Sequence, residues 1–98
     1  MRLDRFLFFI RLVKSRTLAQ AVIDEGHVRI DGKRVEKSAE ELRVGSVVAL
    51  PLHGEVRILR VLNLPARRGP AAEARACYEE LTEADPRPSD AARGAADQ

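Results

Sequence analysis

Tryptophan is absent from this sequence, and cysteine, methionine and tyrosine each occur once. The lone thiol, Cys77, has no partner for an internal disulfide and cannot build a thiolate metal site alone, which suits a reducing cytosol. Aromatic residues are 4% of the chain, too few for a single-strand binding platform of stacked rings. The glycines are scattered: neither GxGxxG nor GxxxxGK occurs, and no serine lies in a GxSxG context. His27 and His53 have no spacing to each other or to Cys77 that suggests a metal site. These absences point away from an enzyme, a metal, any other cofactor and a small-molecule substrate. The apolar run Phe6 to Ile10 is far too short to span a bilayer. Asp4 and Arg5 precede it and no small-residue cleavage site follows, so the expectation is a cytoplasmic protein with neither membrane anchor nor signal sequence.

What is present is a 98-residue chain of one-domain length, 45% hydrophobic and 33% charged. Its net charge of +2 hides an asymmetry. Residues 1–70 hold fourteen Lys/Arg against eight Asp/Glu, whereas residues 71–98 hold three against seven. A basic body with an acidic tail fits a polyanionic partner, most often nucleic acid, although a solvated mixed surface would give the same totals.

The segment RLDRFLFFIRLVK reads as a first helix, with Asp4 as N-cap and Leu3 and Phe8 placed as a hydrophobic staple. Leu3, Phe6, Leu7, Ile10 and Val13 gather on one side, while Asp4 and Arg11 lie together on another. Phe8 falls outside the apolar stripe and is expected either to pack on a later segment or to stack on a base. Ser15 caps a second helix, TLAQAVIDE, that buries Leu18, Ala19, Val22 and Ile23 and ends before Gly26. HVRIDGKRV carries Asp-Gly amid alternating residues, the signal of a tight hairpin that pairs Ile30 with Lys33, Arg29 with Arg34 and Val28 with Val35. The facing arginines are unfavourable unless Glu36, Asp31 or a bound anion compensates. A polar stretch, 37–43, leads to a strand VGSVVAL, a turn PLHG and a strand EVRILRVLN. Gly69-Pro70 opens a third helix, AAEARACYEEL, with Pro70 at its first position and Ala74, Cys77, Tyr78 and Leu81 on one side. From Asp85 onward the chain lacks large apolar residues and is expected to be disordered.

The helix start at Ser15 is where chemistry concentrates. A helix N-terminus offers free N–H groups and a positive dipole end to a phosphate, and Lys14 and Arg16 add charged donors there. Their mutual repulsion is relieved if an anion bridges them. Arg11, Lys14, Ser15, Arg16 and Gln20 form a donor surface that Arg29, Lys33 and Arg34 extend if the hairpin packs beside it. Such contacts grip backbone rather than sequence, which suits structured RNA and weakens steeply with salt.

The pattern RLD, then R–K–S–R, then LA, then G–V–I–DG over residues 2–35 resembles the S4 RNA-binding domain, and the strands to about residue 62 suit the rest of that small fold. The stretch ARRGPAAEARACYEEL, 66–81, is similar to the segment following this domain in the ribosome-associated heat-shock protein 15 subfamily. The resemblance implies an α+β fold of two N-terminal helices, a small mostly antiparallel sheet and a C-terminal helix. It divides the chain into an RNA-binding domain at 1–64, a helical extension at 65–84 and an acidic tail at 85–98. It implies a non-catalytic protein whose partner is rRNA of the large ribosomal subunit, with peptidyl-tRNA on a blocked subunit as a further candidate partner. Carried onto this sequence, the RNA-binding residues are Arg2, Arg5, Arg11, Lys14, Ser15, Arg16, Gln20, Arg29, Lys33 and Arg34, with Asp4 orienting its basic neighbours. Phe6 and Phe8 stand where the family often has tryptophan, and Asp31 stands where it often has asparagine. Two other readings of the same residues are an adaptor for an acidic protein and a free-standing tRNA- or small-subunit-binding domain.

Overall fold

The computed structural model describes residues 1–81; the expected tail at 85–98 lies outside the described residues. Helices α1 (Leu3–Phe9) and α2 (Arg16–Asp24) precede strands β1 (Arg29–Ile30), β2 (Lys33–Arg34), β3 (Val47–Leu52) and β4 (Glu55–Val61), then helix α3 (Ala71–Arg75) and strand β5 (Tyr78–Leu81). The strands form one sheet in the order β2-β1-β3-β4-β5, every neighbouring pair antiparallel. This is the expected α+β architecture. Among the described residues no helix is long and apolar enough to cross a membrane.

Alternation along β3 buries Val48, Leu50 and Leu52, and Leu59 and Val61 of β4 join them on that face. Against it pack Leu3, Phe6, Leu7 and Ile10 from the first helical segment and Ala19 and Ile23 from α2. The stripe predicted for the first helix is thus the buried one, Val13 included. The helix itself is shorter than expected. It starts after Arg2 rather than at Asp4, which removes the staple inferred from that cap, and it ends at Phe9. Arg11 then reverses the chain at φ +66°, which costs a non-glycine residue energy. Burial of Ile10 and Val13 on either side holds the reversal, and Arg11 Nε donates to Gly69 O at 2.6 Å.

Ser15 caps α2 as expected, its Oγ accepting from Leu18 N at 3.1 Å. Leu18 is corrected: it is 48% exposed, and Val22 is half-buried. The hairpin keeps the predicted register, Arg29 opposite Arg34, with Val35 N donating to Val28 O. Asp31 and Gly32 both take positive φ, as a two-residue turn matched to strand twist requires. β3 runs two residues past its predicted end, so the turn is His53–Gly54 alone and Pro51 lies within a strand. Proline is tolerated there because β1 reaches only to Ala49, leaving no partner for the missing N–H.

Residues 71–81 depart furthest from the predicted helix. The helix stops at Arg75, and Tyr78–Leu81 pairs with Ile58–Val61 instead. The open edge of β4 gives this segment a hydrogen-bonding ladder, and Arg57–Glu80 and Arg60–Glu79 ion pairs tie the strands together. Those gains override a modest helical preference. Pro70 is accordingly the cap before α3 rather than its first residue.

Candidate nucleic-acid interface

Asp4, buried in the first turn of α1, gathers three of the predicted side chains, Arg2, Arg16 and Gln20, around one carboxylate. Arg2 donates from Nε and a terminal nitrogen at 3.0 Å each, Gln20 Nε2 at 3.0 Å, the Arg5 amide at 2.8 Å and Arg16 at 3.4 Å. Three elements are joined: the N-terminal residues, α1 and the exposed end of α2. The expected orienting role of Asp4 is what this geometry performs. Arg2 and Arg16 keep 45% and 41% of their side-chain surface in solvent, so one carboxylate positions two guanidiniums and leaves the group net positive. The Arg16 contact is longer than ordinary charged hydrogen bonds, and Arg16 Nε is buried with no partner among the described residues. Arg16 is therefore the least firmly held of the donors and the freest to turn toward an external anion.

Burial pushes the Asp4 carboxyl up, but hydrogen bonds from Arg2, Gln20 and the Arg5 amide, with the charge of Arg2, outweigh it and hold its pKa at about 2. A carboxylate with a lowered folded pKa stabilises the protein fully above its unfolded value, 3.8, and loses that contribution as pH falls toward about 2. Urea unfolding midpoints should therefore fall steeply between those values, with about 2 kcal/mol traceable to this group. Asp4→Asn should remove that part of the slope; an unchanged slope would assign the acid sensitivity to other carboxylates.

Charge pairing separates two regions. On β4 and near α3, Arg57, Arg60 and Arg67 are matched by Glu80, Glu79 and Glu73. Arg5, Arg11, Lys14, Arg29 and Lys33 make no ion pair among the described residues. Lys14 is exposed beside the Ser15 cap. Ser15 Oγ accepts from the helix, and its hydroxyl hydrogen remains available to donate to a phosphate. Arg11 and Lys14, read as part of the first helix, both follow the end of α1; they meet as walls of one cleft.

The hairpin forms a second group. Arg29 and Arg34 are cross-strand neighbours, and Arg29 lies between Val28 and Ile30, which pack on the core, so it leaves from the opposite sheet face. Glu36 reaches Arg34 at 3.8 Å, an exposed pair of little energetic weight. Asp31 does not compensate the arginines: its carboxylate accepts from Val47 N at 2.9 Å and locks the turn onto β3. No hydrogen bond or ion pair among the described residues joins the hairpin cations to the Asp4 group. Residues 38–42 run between them, with Ser38 O and Glu40 O accepting from the Asp4 and Leu3 amides and Glu40 lining a shallow hollow with Lys33 and Arg34.

Arg68 escaped the sequence reading. Its Nε donates to Phe8 O at 3.0 Å and its guanidinium lies 4.7 Å from the Phe8 ring centre. Phe8 is thus covered by a later segment, the first of its two expected roles. The doubled arginine before Gly69-Pro70 was the available signal, but nothing local reveals which of the pair folds back.

The S4 domain family model matches residues 1–48. The RQC P-site tRNA stabilizing factor of Streptococcus pneumoniae is 33% identical over 64 residues, 65% of this chain and 72% of that protein. The chain belongs to the S4 domain family. This S4 chain is also 33% identical to heat shock protein 15 of Escherichia coli over 82 residues, 84% of the chain. The heat shock protein 15 of Vibrio cholerae, solved as a trimer, superposes with a TM-score of 0.79 at 26% identity, covering 85% of this chain and 83% of that one. The chain spans 61% of the length of the E. coli relative, and 24% of the small ribosomal subunit protein uS4 of Lacticaseibacillus casei, which it matches over 49 residues. The fold implied by residues 2–35 is therefore the fold this chain has.

Proposed function

We propose that this chain is a non-catalytic, cytoplasmic RNA-binding protein that grips structured rRNA of the large ribosomal subunit, and that it acts on subunits retaining peptidyl-tRNA after translation has stalled. The carrying observation is the segregation of charge: among the described residues Lys14, Arg29 and Lys33 make no ion pair and Arg2 and Arg16 share the single Asp4 carboxylate, whereas Arg57 and Arg60 are each matched by a glutamate of β5. The name of one relative, a factor described as stabilising P-site tRNA, supports the ribosomal setting. Residues 1–64 are assigned the RNA contacts and 65–84 the role of an extension. Arg2, Arg5, Lys14, Arg16 and Gln20 are assigned the phosphate contacts near α2, and Arg29, Lys33 and Arg34 a second set.

The similarity to small-subunit uS4 proteins favours a second reading, binding to small-subunit RNA. Sedimentation with separated subunits tests both. The protein should travel with the large subunit at about 50 mM salt and be released by about 200 mM, because each neutralised phosphate returns counterions to solution. Travel with the small subunit would establish the second reading. Salt-insensitive association, or none, would leave an acidic protein as partner.

A further inference from the structure

A cleft of about 500 Å³ opens next to Lys14, between the α1–α2 connection, α2 and the β3–β4 turn. Its volume lies within the range of about 300–1,000 Å³ typical of small-ligand sites. The floor is apolar: Leu12, Val13, Leu18, Val22 and Leu52. Arg11, Lys14, Arg68 and His53 complete the lining, which contains no carboxylate among the described residues. Such a lining selects an anionic ligand with an apolar body.

Two further observations show that the cationic walls are held in place. Arg11 and Arg68 each spend Nε on a backbone carbonyl, Gly69 O and Phe8 O, and their terminal nitrogens have no acceptor among the described residues. Arg11 is also a non-glycine residue at positive φ outside any two-residue hairpin turn. Backbone conformations of this cost cluster where ligands are gripped.

We propose that this cleft receives one unpaired nucleotide extruded from the RNA bound at the neighbouring Lys14–Arg16 surface. The inference rests on the RNA-binding reading and names the RNA feature it selects. A nucleotide fits the lining better than an acidic peptide does, because Lys14 belongs both to the phosphate-facing surface and to the cleft wall. A backbone tracking along that surface therefore delivers a base to the apolar floor and keeps its own phosphates at the cations. Unpaired bases also stack on guanidinium planes, and the Arg68 plane is already set over Phe8.

The test compares two RNA hairpins, identical except for a single bulged nucleotide, by fluorescence anisotropy with the full chain. The bulged hairpin should bind about tenfold more tightly, the usual scale of one stacked base. Leu18→Gln, at an exposed position and without change of charge, should abolish that preference while leaving affinity for the paired hairpin within about twofold. Arg68→Ala should abolish it as well, which guards against a local effect at Leu18. Equal wild-type affinity for the two hairpins overturns the nucleotide assignment and leaves RNA binding intact. Binding to neither hairpin overturns both. Binding of a Leu/Glu-repeat peptide that Leu18→Gln abolishes, with no preference between hairpins, gives the cleft to a protein instead.

Discussion

The double variant Lys14→Glu, Arg16→Gln should bind structured RNA about a hundredfold more weakly than the wild type at low salt, a loss of about 3 kcal/mol. The logarithmic slope of affinity against salt should shrink by about two, one for each phosphate contact removed. Glutamine is chosen at position 16 because Arg16 touches the buried Asp4 carboxylate. A glutamate there would set two carboxylates together and confound binding with unfolding, whereas glutamine still donates. Lys14 has no such tie and tolerates reversal. Arg60→Gln supplies the contrast: its charge already belongs to Glu79, so RNA affinity should change less than about twofold. Equal losses in both variants would mean that binding follows total charge rather than the arrangement at α2.

The second large effect is on stability. Asp4→Ala strands two guanidiniums near each other and removes the acceptor of Gln20 and of the Arg5 amide. Breaking a buried ion pair from one side costs about 3–5 kcal/mol. Partial solvation of both arginines puts the expectation at the lower end, about 3 kcal/mol. For a domain of this size that is a fall in Tm of roughly 12–20 °C by calorimetry. A fall of only a few degrees would show that water replaces the carboxylate and that Asp4 acts mainly on the orientation of its donors.

Local chemistry made much of this legible. Ser15 before a helical run and Asp31–Gly32 between alternating residues each specify a backbone conformation by themselves, and both appear where predicted. The buried stripe from Leu3 to Val13 follows from periodicity because the core selects those side chains whether or not the helix continues. What the sequence hid depends on distant partners. The break at Arg11 is supported by Gly69, 58 residues away, and β5 exists because β4 offers it an edge. In the candidate interface, residue types at the α2 start marked the cations and the family resemblance marked Asp4 as orienting its neighbours, but neither showed that Arg16 and Gln20 of α2 share that carboxylate with Arg2. Nor could spacing show that Arg11 and Lys14 face a cleft completed by Arg68 and the β3–β4 turn.

The strand order places Lys33 and Arg34 at one margin of the sheet and Glu79 and Glu80 at the other. Because Arg57 and Arg60 already balance those glutamates, the described residues are cationic at the hairpin margin and near neutral at the other, which gives them an electric axis running across the strands. In the field of a polyanion it experiences a torque before any contact forms, turning the hairpin margin forward and the glutamates away. Encounters begin in a restricted set of orientations, which raises the fraction of collisions that mature into a complex.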